Sequence, residues 1–482
     1  MTMLDCNNLS IAHDDERAIY VQLYEGLVNL IETGHLTAGY ALPPVRKLAA
    51  NLKINAGTVA RSYRELEKNG YIYSRRGSGS YVADPPERSN GEDRRSISDL
   101  EIHDPEFLTE KLAADVINMN TIALNPDIIS IQQFKRLMNE VLDRDGGHAF
   151  GYQESQGFLP LRKSIASYLA HSGIKASFDC LQIISGAQQG IDIVARALLT
   201  NGDYVFTEAP TYPGALAAFR ARGAKIIDIP LEPDGPNMEI LEERLKKFTP
   251  RLIYVMPTLQ NPTGATYSRE KRARLMGLAR YYNAYVLEDD YLSELCYSQN
   301  ILPPLKANDR DERVIYLKSF SKIFMPGLRL AFLLMPHSLT KPLLAMKQLT
   351  DIATSGLTQR VFDLYLREGL WSEHVASIKS IYETQFNFTL KAASRLLPKE
   401  VTFHIPVGGL SLWLHLPQKL TATKLAKLAQ QEKIALTDGS DFYPRATDHH
   451  HVRISFATLT LQEIERGMRI LGEILTRELK NK

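Results

Sequence analysis

Ser319-Phe-Ser-Lys322-Ile-Phe-Met-Pro-Gly-Leu-Arg329 is the stretch on which this chain turns. A lysine, two flanking hydroxyls and an arginine seven residues on suit one task. The lysine forms an imine with an aldehyde cofactor, while Ser319, Ser321 or Arg329 grips the cofactor's phosphate. A flexible amine with a tunable pKa is what Schiff-base chemistry needs. A lysine after two serines is ordinarily a plain surface lysine, so the run needs support from elsewhere in the chain.

That support lies upstream. Asn261-Pro-Thr-Gly264 follows the apolar run 252–256 (LIYVM), and Glu-Asp289-Asp-Tyr291 follows another. In this order the motifs resemble the fold-type I aminotransferases of class I, which use pyridoxal 5'-phosphate (PLP). The resemblance covers roughly residues 115–482. It implies that Lys322 is the imine lysine, that Asp289 pairs with the protonated ring nitrogen, and that Asn261 and Tyr291 bond the ring's 3-oxygen. The chemistry agrees, because a carboxylate at the ring nitrogen keeps the ring an electron sink.

The same resemblance extends to other segments. Small residues in Ser-Gly186-Ala187-Gln188 open a helical stretch, where backbone N–H groups can approach a phosphate. Gly186, Ala187 and Gln188 are therefore implied to hold the PLP phosphate, with Ala187 standing where a hydroxyl residue is common. Tyr212, in Ala209-Pro-Thr-Tyr212-Pro-Gly, is implied to stack on the ring. Tyr152, in Gly151-Tyr152-Gln-Glu-Ser-Gln-Gly157, is implied to reach the phosphate of a neighbouring subunit, and hence a homodimer. A capped helix start explains that segment equally well.

Arg453, in His451-Val-Arg453-Ile-Ser-Phe456, is implied to fork a substrate or effector carboxylate, as guanidinium does well. A change at Arg453 is expected to spare PLP. The triplet His449-His450-His451 invites a metal reading. Neighbours on an extended strand point to opposite faces, so no metal site is expected there.

The net charge of +2 is unevenly spread. Between Arg17 and Ala83 stand nine Lys or Arg against four acids, so this segment carries +5 and the remainder −3. Such a basic excess points to a nucleic-acid partner. The three cysteines are far apart and form no CxxC pair, which fits a reducing cytosol. No apolar run of membrane-spanning length and no signal-like segment is evident, so a cytoplasmic location is expected.

Within the basic segment, Ile19, Leu23, Leu27, Leu30 and Ile31 form a helical stripe. Pro43-Pro44 starts a short helix, Asn55-Ala-Gly-Thr58 caps a third, and strand candidates at 71–73 and 80–82 flank Arg75-Arg76-Gly-Ser-Gly79. Helix, helix, turn, helix and basic hairpin is the layout of a winged helix-turn-helix. Leu42-Pro-Pro-Val-Arg46, Thr58-Val59 and Gly77-Ser-Gly-Ser-Tyr-Val82 also resemble the GntR DNA-binding domain, over roughly residues 17–84. This implies that Arg46, Thr58 and the wing at Arg75 and Arg76 face DNA, with Arg64 and Lys68 at the backbone. The segment departs from the family at Ala56-Gly57, where polar or arginine residues are common.

The expected organisation is a winged helix-turn-helix over 1–83, a polar linker over 84–112, and an aminotransferase-like domain over 113–482. Alternating apolar runs and helical stretches in the last predict an α/β fold, a mostly parallel sheet covered by helices with a smaller α+β C-terminal part. The whole resembles the MocR subfamily of bacterial transcription regulators. That resemblance implies a PLP-binding homodimer that binds double-stranded operator DNA and responds to an amino compound, an amino acid or PLP itself. An active aminotransferase with an accessory DNA-binding domain is the alternative.

Overall fold

Residues 18–32, 35–68, 71–75, 79–83, 113, 115–445 and 450–480 are described in the computed structural model. They fall into two compact units, 18–83 and 113–480. The expected linker 84–112 lies outside the described residues, as do Arg76 and the side chains of Lys68 and Arg75.

The first unit comprises helices Ile19–Glu32, Val45–Leu52 and Ala56–Lys68, then the hairpin strands Ile72–Arg75 and Gly79–Val82. Leu23, Leu27 and Leu30 recur at helical spacing and are buried against Leu48, Val59, Tyr63 and Leu66. Asn55 starts the third helix: its Oδ1 accepts from the Gly57 N–H at 2.7 Å, and its carbonyl accepts from the Thr58 N–H at 3.0 Å. Ile72 pairs with Val82 across the antiparallel hairpin, and both close the core. This is the expected winged helix-turn-helix layout.

In the second unit eight strands form one sheet. Their order is Leu181–Ile184, Ala331–Leu334, Val314–Ser319, Tyr285–Asp290, Pro250–Val255, Tyr204–Ala209, Lys225–Glu232 and Gly235–Pro236. The five central neighbours, from Val314–Ser319 to Lys225–Glu232, run parallel; Ala331–Leu334 and Gly235–Pro236 pair antiparallel. Helices cover both faces, so strands such as Leu181–Ile184, Val314–Ser319 and Ala331–Leu334 are buried throughout and read as near-continuous apolar runs.

A smaller antiparallel sheet orders Thr402–Phe403, Ser411–His415, His451–Ser455 and Thr437–Asp438. The short strand Ile117–Asn118 pairs in parallel with Ile434–Ala435. The start of the unit is thereby built into its C-terminal part, an association that local periodicity does not carry.

Candidate functional site

The carboxyl ends of the parallel strands converge on a cavity of about 280 Å³. Its lining includes Ala187, Gln188, Tyr212, Asn261, Asp289, Tyr291, Ser319, Ser321, Lys322 and Arg329. Ten residues singled out in separate sequence motifs thus share one cavity, at the strand ends where open α/β sheets bind ligands.

Strand alternation sorts the charges. Asp289 and Asp290 are consecutive on Tyr285–Asp290, so their side chains take opposite faces. Asp289 lines the cavity. Asp290 lies opposite Lys318 in the parallel register, and Lys318 Nζ donates to it at 2.9 Å and to Glu294 Oε2 at 2.6 Å. Burial works against the Lys318 cation, but the Asp290 and Glu294 carboxylates outweigh it and raise its pKa. Lys318 is thereby committed, whereas Lys322, one turn of chain later, lines the cavity.

Asp289 is buried, and its Oδ2 accepts from the Tyr254 hydroxyl at 2.7 Å. Oδ1 of the same carboxylate is buried with no hydrogen-bond partner. Burial pushes the Asp289 carboxyl up to about 7; the Tyr254 bond opposes this, the Asp290 charge adds to it and Lys318 opposes it. A buried acceptor without a donor is costly, so this oxygen is suited to accept an N–H from a bound group.

Beside the cavity stands Gly186, the N-cap of the helix Ala187–Leu198, a helix start suited to an anion. Gly186 has φ +110°, and a Cβ placed there would lie 2.2 Å from Arg329 Nη2. The backbone conformation calls for glycine, and any side chain would also push the Arg329 guanidinium aside. Arg329 Nη2 donates to the Ser185 carbonyl at 3.0 Å, which holds its guanidinium beside this helix start. Gly214 serves Tyr212 in a similar way, since a Cβ there would lie 2.6 Å from the Tyr212 ring.

Three expected residues lie apart from the cavity lining: Gly186, next to Ala187, and two others. Tyr152 is 93% exposed. Arg453 is 0% exposed: Nη1 donates to Asn261 Oδ1 at 2.9 Å, Nη2 to the Asn120 carbonyl at 3.1 Å, and the guanidinium lies 5.0 Å from the Phe442 ring centroid. Arg453 therefore backs Asn261, and the two positions are not independent.

Sequence reasoning missed Met256, Pro326, Thr121, Ile122 and Ala123, the last three from the segment after Ile117–Asn118. It also missed Tyr254; a phenol inside the apolar run 252–256 was the signal available. Among the described residues no cluster of His, Cys, Asp or Glu could hold a metal ion, and His449 lies outside them.

In the first unit Arg46 is exposed on the second helix. Val59, Ser62, Tyr63 and Leu66 bury one side of the third helix, while Gly57, Arg61 and Arg64 are exposed. Thr58 is half-buried at the start of that helix. Among the described residues Arg64 Nε donates to its own helix, to the Ala60 carbonyl at 3.4 Å.

The fold and cavity define a PLP-dependent α/β domain on a chain that also carries a winged helix-turn-helix. The chain belongs to the aminotransferase class I and II family, whose pattern matches residues 115–471; residues 19–82 match the bacterial regulatory proteins of the gntR family. It is 29% identical to the probable rhizopine catabolism regulatory protein MocR of Rhizobium meliloti, over 92% of this chain and 90% of that one. The kynurenine aminotransferase of Pyrococcus horikoshii, solved with PMP, matches with a TM-score of 0.74 at 32% identity, over 81% of this chain and 95% of that one. The alpha-aminoadipate aminotransferase LysN of Thermus thermophilus, solved with N-(5'-phosphopyridoxyl)-L-leucine, matches with a TM-score of 0.72 at 33% identity, over 76% and 93%. The cofactor is PLP, and the residues present fit it: a glycine-floored helix start for the phosphate, and an unpartnered buried carboxylate oxygen for the ring nitrogen. Among the described residues no helix is long and apolar enough to cross a membrane.

Proposed function

We propose that this chain is a transcription regulator: its winged helix-turn-helix binds operator DNA as part of a homodimer, and its PLP site senses an amino compound, an amino acid or PLP itself. The observation that carries this is a complete cofactor cavity on the same chain as a basic winged helix-turn-helix. Residues 84–112 serve as the linker between the two domains, 1–83 and 113–482.

When bound, PLP supplies an aldehyde that condenses with amines and a protonated ring that accepts electrons. Lys322 would be the amine that takes that aldehyde, and Asp289 Oδ1 would hold the ring N–H. Asn261 and Tyr291 hold the 3-oxygen, and Tyr212 covers the ring. Gly186, Ala187 and Gln188 offer backbone N–H groups, and Ser319, Ser321 and Arg329 offer side-chain donors, to the phosphate. Tyr152, exposed on its own subunit, reaches the phosphate of the partner. Arg453 takes the effector's carboxylate, which competes for donors now held by Asn261 and Asn120. An effector able to compete with Lys322 for the cofactor would bind two states of the protein unequally, as a switch requires.

On the DNA side Arg46, Thr58, Arg64, Lys68, Arg75 and Arg76 contact the duplex, chiefly its phosphates. The second reading, an active aminotransferase with an accessory DNA-binding domain, is favoured by the intact lysine, aspartate and asparagine set. A screen of amines and amino acids against the PLP-loaded protein separates the two. A regulator shows a change in cofactor absorbance together with a change in DNA affinity. Sustained keto-acid release with unchanged DNA binding supports the enzyme.

A further inference from the structure

We propose that Arg61 and Tyr20 form a clamp for a DNA backbone phosphate, one helical turn beyond the start of the third helix. The inference rests on the DNA-binding reading above. On the helix Ala56–Lys68, buried Val59, Ser62, Tyr63 and Leu66 define one side. At about 100° per residue, Gly57, Arg61 and Arg64 fall on the opposite side, facing solvent. On this exposed side of the first turn Ala56 and Gly57 offer no side chain able to grip DNA, Thr58 being half-buried beside them. Gly57 instead presents bare backbone on that exposed side, so the helix can approach a duplex closely. The first long donor on this side is then Arg61.

Arg61 is held in place by Tyr20. Its guanidinium carbon lies 3.9 Å from the Tyr20 ring centroid, and Nη2 donates to the phenol oxygen at 3.3 Å. Among the described residues Arg61 pairs with Tyr20 and with no carboxylate. A guanidinium has five N–H donors, so the Tyr20 bond leaves most of them available. The phenol oxygen accepts from Arg61 and keeps its own proton to donate. Two donors of the phosphate-binding kind thus converge from two helices, and the stack limits the freedom that Arg61 loses on contact.

The test uses the full-length PLP-loaded protein, a duplex that it selects from a random pool, and a scrambled duplex, with affinity measured across salt concentrations. Arg61→Ala is expected to weaken binding about tenfold, by the same factor on both duplexes. The log–log salt slope should fall by about one per protomer. Arg61→Lys keeps the charge and the slope but loses the stacked fork, with an intermediate loss. Tyr20→Phe keeps the ring and the slope, and costs about threefold. An Arg61→Ala slope equal to wild type overturns the clamp, because a purely structural role does not release counterions. A loss confined to the selected duplex also overturns it, in favour of base reading. Wild-type protein that binds neither duplex removes the DNA-binding reading itself, a distinct result.

Discussion

Arg453 donates to Asn261 Oδ1 at 2.9 Å, from a strand of the small sheet to the loop after a strand of the large one. The proposed anion reader and the proposed 3-oxygen ligand are therefore one unit. Sequence reasoning treats them as separate and expects a change at Arg453 to spare PLP. With the guanidinium gone, the Asn261 and Asn120 oxygens lose buried donors, at about 1–3 kcal/mol for each group left unsatisfied.

Arg453→Ala is thus expected to weaken PLP binding about tenfold or more and to abolish the response to a carboxylate effector. Arg453→Lys keeps a cation without the fork, so PLP retention recovers more than the effector response does. Titrations of cofactor absorbance, without and with effector, check both. An Arg453→Ala variant with wild-type PLP affinity would show that the 2.9 Å contact carries no coupling.

Lys318 and Lys322 are four positions apart and behave oppositely. Borohydride treatment of the PLP-loaded protein is expected to fix the cofactor on Lys322, and Lys322→Ala to lose the label while remaining folded. Lys318→Met leaves the Asp290 and Glu294 carboxylates without their cation. Breaking such a buried pair costs about 3–5 kcal/mol, so this variant should lose thermal stability before it loses chemistry. Peptide mapping of the label and a melting curve decide it; a label on Lys318 overturns the assignment.

What the sequence made legible follows from what is local. Strand ends, the helix start at Gly186 and the lysine run each announce themselves within a few residues, and the cavity gathers them. Tyr254 is hidden because a strand buried on both faces reads as uniformly apolar, so its hydroxyl gives no periodic signal. Thr121, Ile122 and Ala123 come to the cavity through pairing of Ile117–Asn118 with Ile434–Ala435, more than three hundred residues away. The burial of Arg453 has the same origin: its acceptors, Asn120 and Asn261, lie far from it in sequence.

Arg46 is exposed on the helix Val45–Leu52, next to Leu48 and Ala49, which anchor that helix in the core. Arg46→Ala should leave the unfolding free energy within about 0.5 kcal/mol of wild type, as is usual for exposed positions. It should weaken DNA binding on any sequence and reduce the salt slope by about one per protomer. Gel shifts at several salt concentrations check this. Unchanged affinity for Arg46→Ala and for the paired removal of Arg75 and Arg76 points to an interaction module rather than a DNA reader.

The pH dependence of stability follows from Asp289. In the protein stripped of PLP, burial holds this carboxyl near 7, against an ordinary value of 3.8. The folded state keeps the proton up to about 7, while the unfolded chain releases it near 3.8. Between these values the folded state binds more protons, so stability falls as pH rises through the window and levels off above it. Burial also pushes Glu208 and Glu288 up to about 7, and both add to the same slope. Asp289→Asn removes only the Asp289 share, so the stripped variant should lose less stability than wild type between about pH 4 and 7. Tyr254→Phe takes away a donor that favours the carboxylate, which raises the Asp289 pKa further and extends the window upward. That variant should also bind PLP at least about tenfold more weakly at neutral pH, the usual loss for a hydrogen bond to a charged group. Melting temperatures across pH, with PLP titrations at pH 7, check the set. Identical pH profiles for wild type and Asp289→Asn would mean that Asp289 stays ionised in the stripped protein, and the unpartnered oxygen would then need another source of positive charge.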